Sequence, residues 1–477
     1  MPQPNVLFIL SDDQRFDTIG ALGNPHIVTP NLDDLAYRGV AFSRNFCTTP
    51  ICTPARAEIL TGCNSFTNQV PWFGMPINPE LTLMPQAFGA AGYHTIHVGK
   101  WHNDGHPRDR GYDVTHTVFP HDNLNDYNTC GNMMRFKEEE GEVEGFTADV
   151  FTDYALKALS RTPADRPWFC FLAHTAPHDP HDTPPQFAAM YDPDAMPLLP
   201  NHMPEHPFDN GDMLIRDELL ENWPREQPAM RRYRARYYAA ISHLDHNLGR
   251  LLGHLRLTGQ LDNTIIVFTG DQGLAIGSHG LLGKENMYDH SIGSPLIING
   301  PGLPAGGRCE ALVHHVDLFP TICELAGIER PASCADGHSL VSLMRGEVER
   351  VREDVFCEFF SPEYLGGPMR NTQRAVRTDR WKLTWFPAIE RYQLFDLWHD
   401  PLELVDLLVA WRNRARQYVA AGHKMWTGNP RPPWDVRPTY TQDEIGAVVA
   451  DLHARMIAHM ERNSDPALAQ QRPPAPL

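Results

Sequence analysis

The sequence predicts an α/β fold with a large, mainly parallel or mixed central sheet flanked by helices, followed by a smaller C-terminal α+β domain with a short antiparallel sheet. In the first part of the chain, continuous apolar runs alternate with helical segments, as in buried parallel sheets covered by helices. After about residue 350, short strands follow one another without long helices between them. A chain of 477 residues is also too long to fold around a single small hydrophobic core. We therefore predict a first domain over residues 1–350 and a second over residues 351–477.

The elements of the first domain follow from hydrophobic periodicity and from glycines that close helices. The predicted strands are Val6 to Leu10, Tyr93 to Val98, Trp168 to Leu172, Thr264 to Phe268 and Pro295 to Ile298. The predicted helices are Thr29 to Gly39, Cys52 to Leu60, Leu83 to Ala91, Thr147 to Leu159, Met230 to Leu257 and Asp317 to Ala326.

The second domain is predicted to contain short strands, one late helix and a frayed tail that begins at Arg472. The strands are Val355 to Phe360, Arg374 to Phe386 and Tyr392 to Leu397, and the helix is Ile445 to Glu461. In the first domain, the stretches Phe119 to Gly145 and Pro177 to Pro228 are predicted to be insertions at the carboxyl ends of the strands. Loops in such positions commonly shape access to a site.

Composition excludes some classes of partner. The net charge is −18 and no long basic run is present, which argues against binding of nucleic acid or of an anionic membrane surface. No apolar segment approaches membrane-spanning length. The nine cysteines are scattered without Cys-x-x-Cys spacing, and the chain starts directly with a strand. We therefore expect a cytoplasmic protein, and the sequence leaves its oligomeric state open.

Acidic and amide side chains follow two of the predicted strands. Asp12 and Asp13 come after the first strand, and Asp271 and Gln272 follow Phe268. Adjacent carboxylates repel each other unless a cation lies between them. Oxygen ligands without accompanying histidine or cysteine favour a hard ion, and we predict Ca²⁺ ahead of Mg²⁺ or Mn²⁺.

Cationic and titratable side chains follow other predicted strands. Lys100 and His102 come after Val98, and they would face one side if that segment stayed extended. His174 follows Leu172, while Lys284 lies on a glycine-rich loop. Since ligands gather at the carboxyl ends of parallel strands, these groups are candidates for binding an anion at the same rim.

Cys52 is predicted to lie at the start of a helix, with Pro54 in the first turn and Arg56 one turn further on. A helix N-terminus stabilises negative charge and binds sulfate or phosphate groups. Arg56 could add bidentate contacts to the same anion. Most free cysteines are buried core residues, but the pattern around Cys52 favours a functional role.

Together these segments resemble the type I, formylglycine-dependent sulfatases of the alkaline phosphatase superfamily over nearly the whole chain. The Cys-x-Pro-x-Arg core with its Leu-Thr-Gly continuation is the most specific feature, and it lies between Cys52 and Gly62. The resemblance implies that a formylglycine-generating enzyme oxidises Cys52 to formylglycine, whose hydrated aldehyde attacks a sulfate ester. It also implies a sulfatase-like catalytic domain over residues 1–350.

The resemblance also implies a role for each matching residue. Asp12, Asp13, Asp271 and Gln272 would hold the cation together with the matured Cys52. Arg56 would stabilise the hydrate, His102 would act as the base that regenerates the aldehyde, and His174 would protonate the leaving alcohol. Lys100, His174 and Lys284 would bind sulfate oxygens.

Three alternatives stay open. A phosphonate monoester or phosphodiester hydrolase of the same superfamily also uses formylglycine, although Gln272 and the paired aspartates favour Ca²⁺ and sulfate. A catalytically inert binding protein would not need every expected catalytic residue type. A cysteine hydrolase would use an unmodified Cys52 with His102 or His174.

The sequence does not distinguish among aryl, carbohydrate and choline-type sulfates. The candidate substrate contacts are Tyr127, Asn128, His178, His181 and His279.

Overall fold

The computed structural model describes residues 3–124, 133–361, 370–409 and 440–470. The strands are β1 (Asn5–Ser11), β2 (Val40–Phe46), β3 (His94–Lys100), β4 (Val114–Phe119), β5 (Met133–Glu138), β6 (Gly141–Phe146), β7 (Trp168–Ala173), β8 (Thr264–Gly270), β9 (Gly293–Asn299), β10 (Gly307–Cys309), β11 (Val313–His314), β12 (Asp354–Phe359), β13 (Gln373–Thr378), β14 (Trp381–Phe386) and β15 (Arg391–Asp396).

The α-helices of the described residues include several of one turn and one of 31 residues. They are α1 (Pro30–Arg38), α2 (Cys52–Thr61), α3 (Ser65–Asn68), α4 (Met84–Ala90), α5 (Thr147–Leu159), α6 (Pro185–Ala188), α7 (Gln227–Leu257), α8 (Asp289–Ile292), α9 (Leu318–Ala326), α10 (Val341–Met344), α11 (Gln442–Arg462) and α12 (Pro466–Gln470).

The central sheet has nine strands in the order β10-β2-β9-β8-β1-β7-β3-β4, with β11 also paired to β2. Strand β9 runs antiparallel to β2 and β8, while the other pairings are parallel. Ser11 at the end of β1 lies opposite Gly270 at the end of β8, so the residues that follow these strands emerge side by side. The predicted mainly parallel sheet is confirmed.

The sheet is covered on both faces, which explains why its strands are continuous apolar runs. Alternate residues of β1 belong to different cores, with Phe8 and Leu10 on one side and Leu7 and Ile9 on the other. Helices α2, α4 and α9 contribute to the first core, and α1, α5 and α7 to the second. Asp245 of α7 accepts hydrogen bonds from the backbone of the first turn of α1, which ties these two helices together.

The C-terminal part contains a four-stranded antiparallel sheet in the order β12-β13-β14-β15. Helix α11 covers it, since Leu452 and Met456 share a core with Val376 and Leu383. The predicted antiparallel sheet and late helix are confirmed. The division of the chain at residue 350 stays a prediction.

Several local predictions differ from the structure. The single strand predicted from Arg374 to Phe386 is two strands, because the chain turns at Asp379 and Arg380. Strand β2 was not predicted, and strands β5 and β6 form a hairpin within a stretch that was predicted to be a loop. Tyr127, Asn128 and the tail from Arg472 lie outside the described residues. Within the described ranges, no helix has the length and apolar character that crossing a membrane requires.

Candidate active site

The carboxylates that follow β1 and β8 meet at the predicted rim. Asp271 Oδ1 accepts hydrogen bonds from the backbone N–H groups of Asp13 and Gln272, each at 3.0 Å. The Gln272 side chain donates to Asp13 Oδ1 at 2.6 Å. Asp12, Asp13, Asp271 and Gln272 are all fully buried. The structure therefore brings together the four side chains that were predicted to bind a cation.

The backbone at Asp13 adopts an unusual conformation. Its φ is +62°, in the left-handed region that costs a non-glycine residue energy. The Tyr237 hydroxyl donates to the Asp13 carbonyl at 2.6 Å and accepts from the Arg15 N–H at 2.9 Å. These bonds from helix α7 hold the turn that aims the Asp13 carboxylate at the cluster.

Cys52 is the first residue of α2 and is only 2% exposed. Its Sγ donates to Asp12 Oδ1 at 3.3 Å, and Gln272 Nε2 lies 3.2 Å from the same sulfur. The helix start thus places residue 52 against the carboxylate cluster.

Arg56 lies one turn further along α2. Its Nε and Nη2 donate to Asp271 Oδ2 at 3.1 and 2.9 Å, and its Nη1 donates to the Lys100 carbonyl at 3.0 Å. Nη2 also lies 3.6 Å from Asp12 Oδ2. Arg56 therefore links the helix that carries Cys52 to the ends of β1, β3 and β8.

Two buried lysines face the two adjacent aspartates. Lys100 donates to Asp12, and Lys284 donates to both oxygens of Asp13 at 2.7 and 2.8 Å. Burial opposes the charge of each lysine, but the carboxylates outweigh it and raise the pKa of both Lys100 and Lys284. Glycine is required just before Lys100, because a Cβ on Gly99 would come within 2.2 Å of the Ala173 carbonyl oxygen.

The donors at this rim fit a hard divalent cation. The Gln272 Oε1 atom is buried and accepts no hydrogen bond from any residue that the structure describes, as a metal-ligating carbonyl oxygen would do. Asp12, Asp13, Cys52 and His178 also offer ligand atoms within 4.8 Å of one another, so a histidine that was not predicted as a ligand accompanies the carboxylates. Burial and the charge of Asp12 raise the pKa of Asp271 above its ordinary value, and a cation among these acids would relieve that repulsion.

Two histidines, His102 and His178, lie close to the carboxylate cluster. His102 lies beside the cluster, and burial together with the charges of Lys100 and Arg56 lowers its pKa well below the ordinary value. His178 Nε2 lies 3.6 Å from Asp13 Oδ2. His102 has a φ of +53°, so the segment after Lys100 does not stay extended as predicted.

The three remaining candidate histidines pack against aromatic side chains. The His174 ring lies 6.1 Å from that of Phe151, on the side of the sheet covered by α5, and burial lowers its pKa to about 3. His279 stacks on Tyr288 at 4.0 Å and bonds to the Glu403 carbonyl. His181 packs against Tyr233 at 4.8 Å. The structure thus places His178, rather than His174, next to the aspartates.

Sequence reasoning missed three residues of the Pro177 to Pro228 insertion. Asp179 Oδ1 lies 3.2 Å from His178 Nδ1 and accepts from Arg216 at 2.8 Å, and Arg216 in turn donates to Asp217 at 2.7 Å. The position of Asp179 next to His178 was the one available signal, because Arg216 and Asp217 lie in an acidic, irregular stretch without periodicity.

Oxygen ligands, two lysines and Cys52 at a helix start thus meet at the strand ends of an α/β sheet. This arrangement is typical of hydrolases that act on anionic esters. The family model described as Sulfatase matches residues 4–328, and the chain belongs to the sulfatase family. It is therefore a sulfuric ester hydrolase of the alkaline phosphatase superfamily, as predicted. A second model, for the C-terminal part of N-sulphoglucosamine sulphohydrolase, matches residues 277–420.

Individual relatives span most of the chain. The N-acetylglucosamine-6-O-sulfatase of Bacteroides thetaiotaomicron is 27% identical in an alignment that covers 84% of this chain and 82% of the relative. The choline-sulfatase of Rhizobium meliloti is 31% identical in an alignment that covers 85% of this chain and 82% of the relative. The structure of a phosphonate monoester hydrolase from Silicibacter pomeroyi has a TM-score of 0.73 at 26% identity and covers 98% of this chain and 97% of its own.

Proposed function

We propose that the chain hydrolyses aryl or carbohydrate sulfate esters with a formylglycine hydrate derived from Cys52, assisted by a divalent cation. The observation that carries this proposal is the contact of Cys52 Sγ with Asp12 and Gln272 inside a cluster of oxygen ligands. A thiolate is a soft ligand and would be a poor partner for a hard cation at Asp12 and Asp13. A geminal diol at the same place would suit both the carboxylates and a hard cation.

Maturation would precede folding. Cys52 is almost completely buried at the start of α2, and every residue of this helix is buried. A formylglycine-generating enzyme would therefore act on the segment around Cys52 before the chain closes over it.

Asp12, Asp13, Asp271 and Gln272 would hold the cation, for which we propose Ca²⁺. A bound cation would supply Lewis acidity toward the nucleophilic oxygen at residue 52 and toward the sulfate. With Asp12 and Asp13 engaged in this way, the ammonium groups of Lys100 and Lys284 become available to sulfate oxygens. Arg56, fixed by Asp271, stabilises negative charge on the attacking oxygen.

Two histidines would move protons. We assign the protonation of the leaving alcohol to His178 rather than to His174, because His178 Nε2 lies 3.6 Å from Asp13 Oδ2 and its Nδ1 lies 3.2 Å from Asp179 Oδ1. His102 would accept the proton that lets the sulfated hydrate expel sulfate and reform the aldehyde.

The preferred ester is expected to be sulfate. We expect kcat/KM for 4-nitrophenyl sulfate to exceed that for phenyl 4-nitrophenylphosphonate by at least about tenfold, since the ligand set favours a hard ion. Both reactions release a chromophore and can be followed side by side on one enzyme sample. A reversed preference would assign the chain to phosphonate ester hydrolysis, which the similarity to the Silicibacter pomeroyi enzyme makes the second candidate.

Removal of the cation is expected to lower both activity and stability. A ligand present at a hundred times its Kd stabilises the folded state by about 2.7 kcal/mol, so treatment with EDTA should lower the melting temperature by several degrees. Ca²⁺ should restore the melting temperature in the wild type and much less in Asp13→Asn. Full activity and an unchanged melting curve after exhaustive chelation would contradict the proposed cation.

A further inference from the structure

Six charged side chains form a closed ring of alternating sign beside Cys52. Lys284 contacts Asp13 at 2.7 Å and lies 3.8 Å from Asp217 Oδ2. Arg216 joins Asp217 to Asp179, at 2.7 and 2.8 Å. His178 completes the ring, 3.2 Å from Asp179 and 3.6 Å from Asp13. Four of its six side chains thus come from the Pro177 to Pro228 insertion, which reaches into the site itself: His178, Asp179, Arg216 and Asp217.

One carboxylate oxygen of Asp217, Oδ2, accepts no hydrogen bond from any side chain or backbone group that the structure describes. Its Oδ1 accepts from Arg216, whereas its Oδ2 is buried without a hydrogen-bond donor, and the residue is 6% exposed. The distance of 3.8 Å to Lys284 Nζ is too long for a hydrogen bond. A buried carboxylate oxygen in this condition is costly unless a ligand supplies the donor.

We propose that Asp217 is a substrate-specificity residue whose Oδ2 accepts a hydrogen bond from a hydroxyl group close to the sulfate ester. This inference rests on the proposed function, in which Lys284 binds a sulfate oxygen. A ligand that contacts both Lys284 Nζ and Asp217 Oδ2 must present an anionic oxygen and a hydroxyl donor within a few ångströms of each other. Sugar sulfates with a free hydroxyl on a neighbouring carbon meet that requirement, and aryl and choline sulfates do not.

The surroundings of Asp217 favour a neutral hydroxyl over a cationic group. Arg216 and Lys284 already supply two positive charges next to this carboxylate, and they would repel a quaternary ammonium ion at its Oδ2. The Arg216 side chain is 53% exposed and lies at the outer side of the ring, where it can donate to a further sugar oxygen.

A deoxy substrate tests the contact without changing the protein. A panel of monosulfated glucose, galactose and N-acetylglucosamine isomers first identifies the best sugar sulfate for the wild type. Removal of the hydroxyl next to its sulfate should then reduce kcat/KM by about 10- to 100-fold, as expected when a buried acceptor loses its donor. An undiminished kcat/KM for every deoxy analogue would overturn the proposal.

Replacement of Asp217 by alanine tests the same contact from the side of the protein. Alanine removes the acceptor, whereas an asparagine NH2 group could still donate to the hydroxyl oxygen. The ratio of kcat/KM for the sugar sulfate to that for 4-nitrophenyl sulfate should therefore fall at least about tenfold in Asp217→Ala. In this variant the deoxy and hydroxyl substrates should differ little. Asp194→Ala, the same change at an exposed position of the same insertion, should preserve the wild-type ratio. Equal losses on the two sulfates in Asp217→Ala would overturn the assignment.

The outcomes separate this proposal from the one on which it rests. Hydrolysis of 4-nitrophenyl sulfate or choline sulfate without hydrolysis of any sugar sulfate would overturn the hydroxyl subsite and leave the sulfate ester chemistry standing. Hydrolysis of a phosphonate ester without hydrolysis of any sulfate would contradict both the hydroxyl subsite and the proposed sulfate ester chemistry.

Discussion

Replacement of Cys52 by alanine is expected to reduce kcat/KM for sulfate esters by a factor on the order of 10⁴ or more, as the removal of a covalent nucleophile does in other hydrolases. Alanine retains the start of α2 and removes only the sulfur that contacts Asp12 and Gln272. The loss should therefore appear in kcat, with a melting temperature close to that of the wild type. Cys63→Ala, at another buried position just beyond the same helix, is the matched control and should retain most activity.

The mass of the peptide that contains Cys52 tests the chemistry directly. Formylglycine corresponds to the loss of hydrogen sulfide and the gain of one oxygen, and the modified fraction of a preparation should scale with its specific activity. An unmodified thiol at Cys52 in fully active enzyme would contradict the formylglycine mechanism and favour the cysteine hydrolase. Wild-type turnover in Cys52→Ala would exclude any nucleophile at this position.

Most of the central sheet could be predicted because its strands are buried on both faces. Strands β1, β7 and β8 are continuous apolar runs, and each was predicted to within one or two residues at either end. Strand β2 was missed because Ser43 and Arg44 interrupt its apolar pattern. In the structure Ser43 is exposed at this position, and the register between β2 and β9 shifts between Phe42 and Asn45.

The side chains proposed to bind the cation could also be predicted from the sequence, because they follow buried strands of the central sheet. Parallel neighbours in one sheet end at the same rim, so acids that follow two such strands must meet. Asp217 could not be predicted in this way. It lies in an irregular insertion, and only the folded chain shows that Gly283 leaves room for it, since a Cβ there would come within 2.8 Å of the Asp217 Cβ.

The alternation of side chains along β7 could have shown from the sequence that His174 points away from the aspartates. Cys170 and Leu172 belong to the core beneath α5 and α7, and His174 continues the same alternation. Its side chain accordingly packs against Phe151. His178 lies beyond the strand, where the chain has turned back toward Asp13, so no periodicity constrains the direction of its side chain.

His178→Ala is expected to reduce kcat/KM for sulfate esters of poor leaving groups by about 10²- to 10⁴-fold, the range that general acid catalysis contributes. The loss should be smaller for 4-nitrophenyl sulfate, because 4-nitrophenolate leaves without full protonation. A series of aryl sulfates with leaving groups of increasing pKa should therefore show a steeper dependence of kcat/KM on that pKa in the variant than in the wild type.

His174→Asn provides the contrast that assigns the role. His174 Nδ1 is buried without a hydrogen-bond donor or acceptor among the described residues, and its ring contributes packing against Phe151. Its replacement should lower the melting temperature through the lost contacts while kcat/KM and the leaving-group dependence stay close to those of the wild type. The opposite pattern, a steepened leaving-group dependence in His174→Asn and an unchanged one in His178→Ala, would return the proton transfer to His174. The pair of variants thus measures which of two histidines, four residues apart, protonates the departing alcohol.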